Sequence, residues 1–225
     1  MKTDEGLWKF NPSGLYGYTD CKTCFWKEQY YGRKPSLPLA LNNAVDAKLK
    51  ARFDLYRGQD TMPPEILEKL PDYKLFSDQQ ELDNWRNWRK GLAYKNKADG
   101  YILTGAVDEI MVDPSGKLVA TDYKSSGDPP KEDKQKYYTL QLHAYALILK
   151  SLKYDVADEA YLLHYFTKDR DDTSLNMELD SHVDKVEINL PKFKKTLAEM
   201  VEFLKSPKPK LNSDCRTCAW LSDVS

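Results

Sequence analysis

The tetrapeptide Asp113-Pro114-Ser115-Gly116, set between two apolar runs, constrains this chain more than any other stretch. Asp opens a turn, Pro suits its second position, and Gly takes the left-handed backbone that closes a three-residue hairpin loop with a bulge. Such a loop places Asp113 opposite Lys117. Counting back along both strands then sets Asp108 opposite Asp122 on one face of the sheet. A loop one residue longer or shorter would send them to opposite faces. Lys124, two residues past Asp122, shares their face, and Glu109 points to the other.

Two facing carboxylates repel unless something neutralises them. A divalent cation does so, and hard oxygen ligands with few protein contacts suit Mg2+ or Mn2+. Open coordination positions then take water and a phosphate oxygen, and a neighbouring lysine orients the water and stabilises developing charge. A solvated hairpin face of Asp, Asp and Lys satisfies the same pattern, so the trio alone leaves both readings open.

The rest of the chain reads as one α/β domain. Leu41, Val45, Leu49 and Phe53 form an apolar stripe of spacing four, which predicts a helix over 38–57. Residues 58–80, with Pro63, Pro64 and Pro71, read as an irregular connection with one short helix from Pro64. A helix is expected over 81–92 and strands over 101–112, 118–125 and 160–167. A helix rich in Tyr, Leu and Ala is expected over 131–152, a half-buried strand over 183–189, and a last helix over 191–204. Trp85 and Trp88, three apart, read as helix packing, with a clamp on a single strand as the alternative. Lys131, Lys134 and Lys136 are offset by Asp128, Glu132 and Asp133 and read as a solvated helix start.

On the 131–152 helix, Gln141 and Tyr145 stand four apart and so share a face. Gly105-x-x-Asp108, Asp122-x-Lys124 and Gln141-x-x-x-Tyr145, in that order, resemble the RecB-like branch of the PD-(D/E)XK nucleases over residues 38–167. That branch includes CRISPR-associated adaptation exonucleases and AddB-type nuclease domains. The resemblance implies a restriction-endonuclease-like core, with a central mixed β-sheet flanked by helices. It implies a Mg2+- or Mn2+-dependent deoxyribonuclease that hydrolyses phosphodiester bonds in single-stranded DNA or at DNA ends. Its setting would be repair, recombination or CRISPR-type processing, with a helicase or a CRISPR adaptation protein as partner. By resemblance, Asp108 and Asp122 bind metal, Lys124 is catalytic, and Gln141 and Tyr145 line the site.

Members of the family often carry a metal-binding histidine on the first core helix, and this chain has none there. Its three histidines are His143, His164 and His182, and His143 is expected on a helix flank without a catalytic part. Asp46 is the substitute ligand, with a solvated helix residue as the alternative. The missing histidine also supports a different class of function: a weak or inactive DNA-binding or assembly module that keeps the fold.

All four cysteines lie in two matching hooks, Cys21-Lys-Thr-Cys24-Phe-Trp26 and Cys215-Arg-Thr-Cys218-Ala-Trp220. Paired CxxC motifs point to one four-thiolate metal site clasping the two ends of the chain. Ser13-x-Leu15-x-x-Tyr18-x-x-Cys21 resembles the opening of the iron-sulfur subgroup, which implies a [4Fe-4S] cluster. Two CxxC hooks are equally the ligand set of a tetrahedral Zn2+ site. Trp26 and Trp220 are expected to shield the centre. The chain therefore divides into a hook segment 1–37, a nuclease core 38–205 and a second hook segment 206–225. A net charge of −1 removes the broad basic footprint of a non-specific DNA binder. There is no apolar run long enough for a membrane span and no signal region, so the expected compartment is the cytoplasm.

Overall fold

The computed structural model describes residues 2–33, 40–87, 89, 91–131, 135–168 and 177–223. In chain order the first elements are β1 (Trp8–Phe10), α1 (Gly17–Asp20), α2 (Lys22–Tyr31), α3 (Ala40–Gly58), α4 (Pro64–Leu67), β2 (Lys74–Leu75) and α5 (Gln79–Arg86). Then come β3 (Leu92–Asn96), β4 (Tyr101–Gly105), β5 (Glu109–Val112), β6 (Leu118–Ser126) and α6 (Gln135–Ser151). The chain continues through β7 (Glu159–Thr167), β8 (Leu179–Glu187), α7 (Leu190–Lys205) and α8 (Arg216–Asp223).

The hairpin forms in the expected register. Val112 pairs with Leu118, Met111 with Val119, Ile110 with Ala120 and Glu109 with Thr121. The loop is held by its own residues: Asp113 N–H donates to Lys117 O at 3.0 Å, and Asp113 Oδ1 accepts from the N–H groups of Ser115 and Lys117. Gly116 has a φ of 87°, the left-handed position assigned to it. Next in line beyond Glu109 and Thr121 stand Asp108 and Asp122.

The central sheet has five strands in the order β2-β5-β6-β7-β8. Only β6 and β7 run parallel, joined by α6 as the crossover; the other pairs are antiparallel, so the sheet is mixed. Each face is covered. On one side α6 buries Leu142, Ala146 and Leu149 against Ile110, Ala120 and Leu162. On the other, Leu49 and Phe53 of α3 pack with Met111, Val119, Tyr123 and Leu163. This is the restriction-endonuclease-like arrangement that the family resemblance implies.

Several local expectations need correction. The run 101–112 is two strands in different sheets: β4 pairs with β1 and β3 in a separate three-stranded sheet, while β5 enters the central one. The break follows Gly105, where the chain is pinned against Pro12 and Tyr145. The helix expected over 81–92 stops at Arg86, and Leu92 begins β3 because it finds a partner in Gly105 of β4. Leu41, the first member of the α3 stripe, is 64% exposed, whereas Leu49 and Phe53 are buried. Trp85 is buried and stacks on Phe76, which is the packing reading; Trp88, Glu132, Asp133 and Lys134 lie outside the described residues. Along β8, Asp184 and Val186, with Ile188 just beyond, are buried and Lys185 and Glu187 exposed, the alternation expected of it. No helix among the described residues is long and apolar enough to cross a membrane.

Candidate active site

β6 presents Asp122 to the α6 side of the sheet, fully buried. Facing it, Gln141 uses one amide nitrogen for two contacts: Nε2 donates to Asp122 Oδ1 at 2.7 Å and meets the Tyr145 hydroxyl at 2.8 Å. The helical spacing that stacks Gln141 on Tyr145 thus presents a polar pair to the carboxylate. Lys124, two residues along the strand, forms an ion pair with Asp122 Oδ2 and lies 4.4 Å from the centre of the Tyr138 ring. The Tyr123 N–H reaches Asp108 Oδ2 at 3.4 Å, so Asp108 is tied to the strand that carries Asp122.

Burial pushes the Asp122 carboxyl up to about 7; the charge of Asp108 adds to this, and Lys124 opposes it. Burial works to lower the Lys124 pKa, but the charge and hydrogen bond of Asp122, with the charge of Asp108, together outweigh it and the net shift is upward. Tyr145 is held well above its ordinary range by burial and then by Asp122 and Asp108, so it remains a neutral hydroxyl. A buried carboxylate raised by a second carboxylate is a place that favours cations. The oxygens of Asp108 and Asp122 suit a divalent ion of the Mg2+ or Mn2+ kind.

Asp46 stands on α3 beside this pair and joins it through a residue that sequence reasoning missed. Lys50 Nζ lies 2.8 Å from Asp46 Oδ2 and 2.9 Å from Asp108 Oδ1. The i,i+4 pairing with Asp46 was readable in the sequence; the reach to Asp108 was not. None of the three histidines joins the aspartates. His143 bonds through Nδ1 to Thr139 O and through Nε2 to the Asn189 N–H. His164 lies beside Lys124 in the parallel register and pairs with Asp184 at 2.9 Å, and His182 meets the same carboxylate at 3.0 Å.

Glu109 points to the opposite face, as expected, into a buried network. Both its oxygens take Arg57 Nη2 at 2.7 Å, and it also takes Arg86 and the Tyr123 hydroxyl. Arg86 Nε in turn holds the Asp108 carbonyl at 2.9 Å. The network therefore fixes the backbone on which Asp108 stands.

The four cysteines converge at the N-terminal ends of α2 and α8, where helix dipoles favour thiolates. Sγ separations are 3.7 Å for Cys21–Cys218, Cys24–Cys215 and Cys24–Cys218, and the four ligand atoms all lie within 4.8 Å of one another. The N–H of Cys218 brings the Cys215 thiol down to about 7, while burial pushes Cys21 and Cys24 up. A tetrahedral ion with metal–sulfur bonds of about 2.3 Å spaces its sulfurs by about 3.8 Å. The thiols fit one ion of that size; a four-iron cube places iron and sulfide between the thiolates and spreads them further. The tryptophans do not shield the centre as expected. Each follows its cysteine by two residues, about 200° around the helix, so Trp26 stacks on Tyr30 in the core and Trp220 is 63% exposed.

A sequence model of the PD-(D/E)XK nuclease superfamily matches residues 26–222. The chain belongs to this superfamily. PD-(D/E)XK nucleases typically use divalent metal ions, in agreement with the acidic pair and its adjacent lysine. The crystal structure of SSO0001 aligns with a TM-score of 0.44 and 14% identity, over 99% of this superfamily member and 87% of that chain. A phage related exonuclease from Haemophilus somnus 129PT aligns with a TM-score of 0.41 and 12% identity, over 97% of each chain. No curated protein matches this PD-(D/E)XK chain.

Proposed function

We propose that this chain is a metal-dependent deoxyribonuclease of the RecB-like branch, acting on single-stranded DNA or DNA ends. One observation carries the reading: Asp108 and Asp122 converge beside Lys124, with Asp122 buried and held by Gln141. A bound divalent ion would lower the pKa of its water and neutralise charge on the phosphate. Asp108 and Asp122 would hold it, with Asp46 as the third carboxylate once Lys50 swings aside. Lys124 would orient the attacking water and meet the charge that develops on the phosphate. Gln141 would keep Asp122 aimed, and Tyr145 would keep Gln141 aimed. A helicase or CRISPR adaptation protein is the expected partner, and free thiols suit a reducing compartment such as the cytoplasm.

A second reading, a weak or inactive DNA-binding module, is favoured by one contact: Lys50 already occupies the space between Asp46 and Asp108. Cleavage assays on single- and double-stranded DNA with Mn2+ separate the two. Wild type should cut, and Asp122→Ala and Lys124→Ala should each lose nearly all activity. Equal residual activity in all three would sink the nuclease reading.

For the clasp we favour a single Zn2+ over a [4Fe-4S] cluster, because the sulfurs are spaced for one tetrahedral ion. Protein purified anaerobically should be colourless and carry stoichiometric zinc. A brown preparation with broad visible absorbance would establish the cluster instead. Under either outcome the core of 38–205 would carry the chemistry, and the segments 1–37 and 206–225 the clasp.

A further inference from the structure

Beside the clasp, between α2 and α8, opens a cavity of about 1030 Å³. Its lining includes Lys27, Arg33, Lys208 and Arg216, with Glu28 as the one carboxylate among the described lining residues. None of the four cations forms an ion pair among the described residues. This is a local excess of positive charge on a chain whose net charge is −1. Two large aromatic side chains border the same cavity with most of their surface in solvent: Tyr31 is 72% exposed and Trp220 63%. Trp85 and Trp26, by contrast, are buried.

Arg33 also lines a second cavity of about 470 Å³, together with Lys9, Asn11, Ser13, Gln141 and Tyr145. Its guanidinium donates to Asn11 Oδ1 at 2.5 Å, a neutral partner that leaves the charge available. Gln141, on the far wall, is the residue bonded to Asp122. Arg33 lines both cavities, so it links the surface that carries Trp220 with the one that reaches Gln141, the partner of Asp122.

We propose that this surface is a track for a single strand of nucleic acid, with bases stacked on Tyr31 and Trp220 and phosphates along Lys27, Arg33, Lys208 and Arg216. Stacking on exposed rings needs unpaired bases, since a duplex keeps its base faces covered; cations in line with the rings track the backbone. The direction of the track toward Asp122 rests on the nuclease reading; binding at the rings does not. The occupant is therefore a single strand rather than a duplex, and the Arg33 junction delivers it to the carboxylates.

The test is fluorescence anisotropy without added Mg2+ or Mn2+, which withholds the cleavage metal and leaves the clasp metal in place, with a labelled oligothymidylate of about 20 nucleotides and a duplex of equal length. Tyr31→Ala combined with Trp220→Ala should weaken oligothymidylate binding at least about tenfold, and Trp220→Phe should keep most of it. Lys27→Ala with Lys208→Ala should weaken binding and flatten its salt dependence. Asp122→Ala should bind like wild type, whatever it does to cleavage. Wild-type binding by the aromatic double variant, with a native circular dichroism spectrum, overturns the track. So does a wild type that prefers duplex. If Asp122→Ala still cuts while the aromatic variant loses binding, the nuclease assignment fails and the track stands.

Discussion

The Lys50 ammonium lies 2.9 Å from Asp108 Oδ1, so a lysine of α3 occupies the space that the proposed divalent ion would need. Lys50→Met keeps the aliphatic stem and removes a like charge from the ion's position. Mn2+ affinity, followed by the loss of the free-ion signal in electron paramagnetic resonance, should rise about tenfold, or about 1.4 kcal/mol. Unchanged or weaker binding would show that Lys50 does not compete with the metal.

Gly105 has a physical reason to be glycine. A Cβ there would lie 2.7 Å from Pro12 Cγ and 3.2 Å from Tyr145 Cε1. The proline ring cannot yield as a long side chain can, so Tyr145 must move and take Gln141 with it. Gly105→Ala should cost about 1–3 kcal/mol of stability and reduce Mn2+-dependent cleavage by more than the stability loss explains. Normal cleavage by a folded Gly105→Ala protein would contradict this coupling.

Glu109 and Asp54 each bond both Arg57 and Arg86, and Glu109 is the fully buried one, with Arg57 at 2.7 Å against 3.5 Å for Asp54. Glu109→Ala leaves Arg57, whose side chain is 3% exposed, as a buried charge without its main partner. Urea denaturation should show a loss of about 3–5 kcal/mol. Replacing Glu109 and Arg57 together with Met should recover much of it, because the desolvation cost leaves with the pair.

His143 sets a dependence on pH. Its Nε2 accepts the Asn189 N–H, and burial lowers its pKa below the ordinary 6.5, with the Thr139 contact opposing and the Lys192 charge adding. Below pH 6.5 the unfolded chain therefore takes up the proton more readily than the folded one, and stability falls as pH falls. Above that value the contribution is flat. Melting temperature measured from about pH 7 to about pH 5 should decline less steeply in His143→Gln. Parallel slopes in the two proteins would remove His143 from the account.

The hairpin was legible because everything that specifies it is local. Asp113, Gly116 and Lys117 bond within the loop, and a period of two carries the register back to Asp108 and Asp122. Glu109 was assigned to the correct face by the same period, but Arg57 and Arg86 could not be read from it. The division of 101–112 was hidden because both halves are apolar and β-forming. What separates them is pairing with Trp8–Phe10, a three-residue strand far away in sequence and too short to signal itself. Lys50 was hidden in the same way: its contact with Asp46 is helical and local, while its contact with Asp108 depends on how α3 crosses the sheet. The cysteine hooks were visible as a pair, yet which metal they suit rests on sulfur spacing, which no motif carries.

Cys21 and Cys218 are 197 positions apart and meet at a single point. A metal held there turns almost the whole chain into a closed ring. Closing a loop of that length removes on the order of 5 kcal/mol of configurational freedom from the unfolded chain, by the same reasoning applied to a disulfide. Asp108 and Asp122 lie inside the ring, and a metal held by the thiols would lie at its seam. Stripping the clasp would therefore leave every contact around Asp122 in place while lowering the free energy of opening the entire domain.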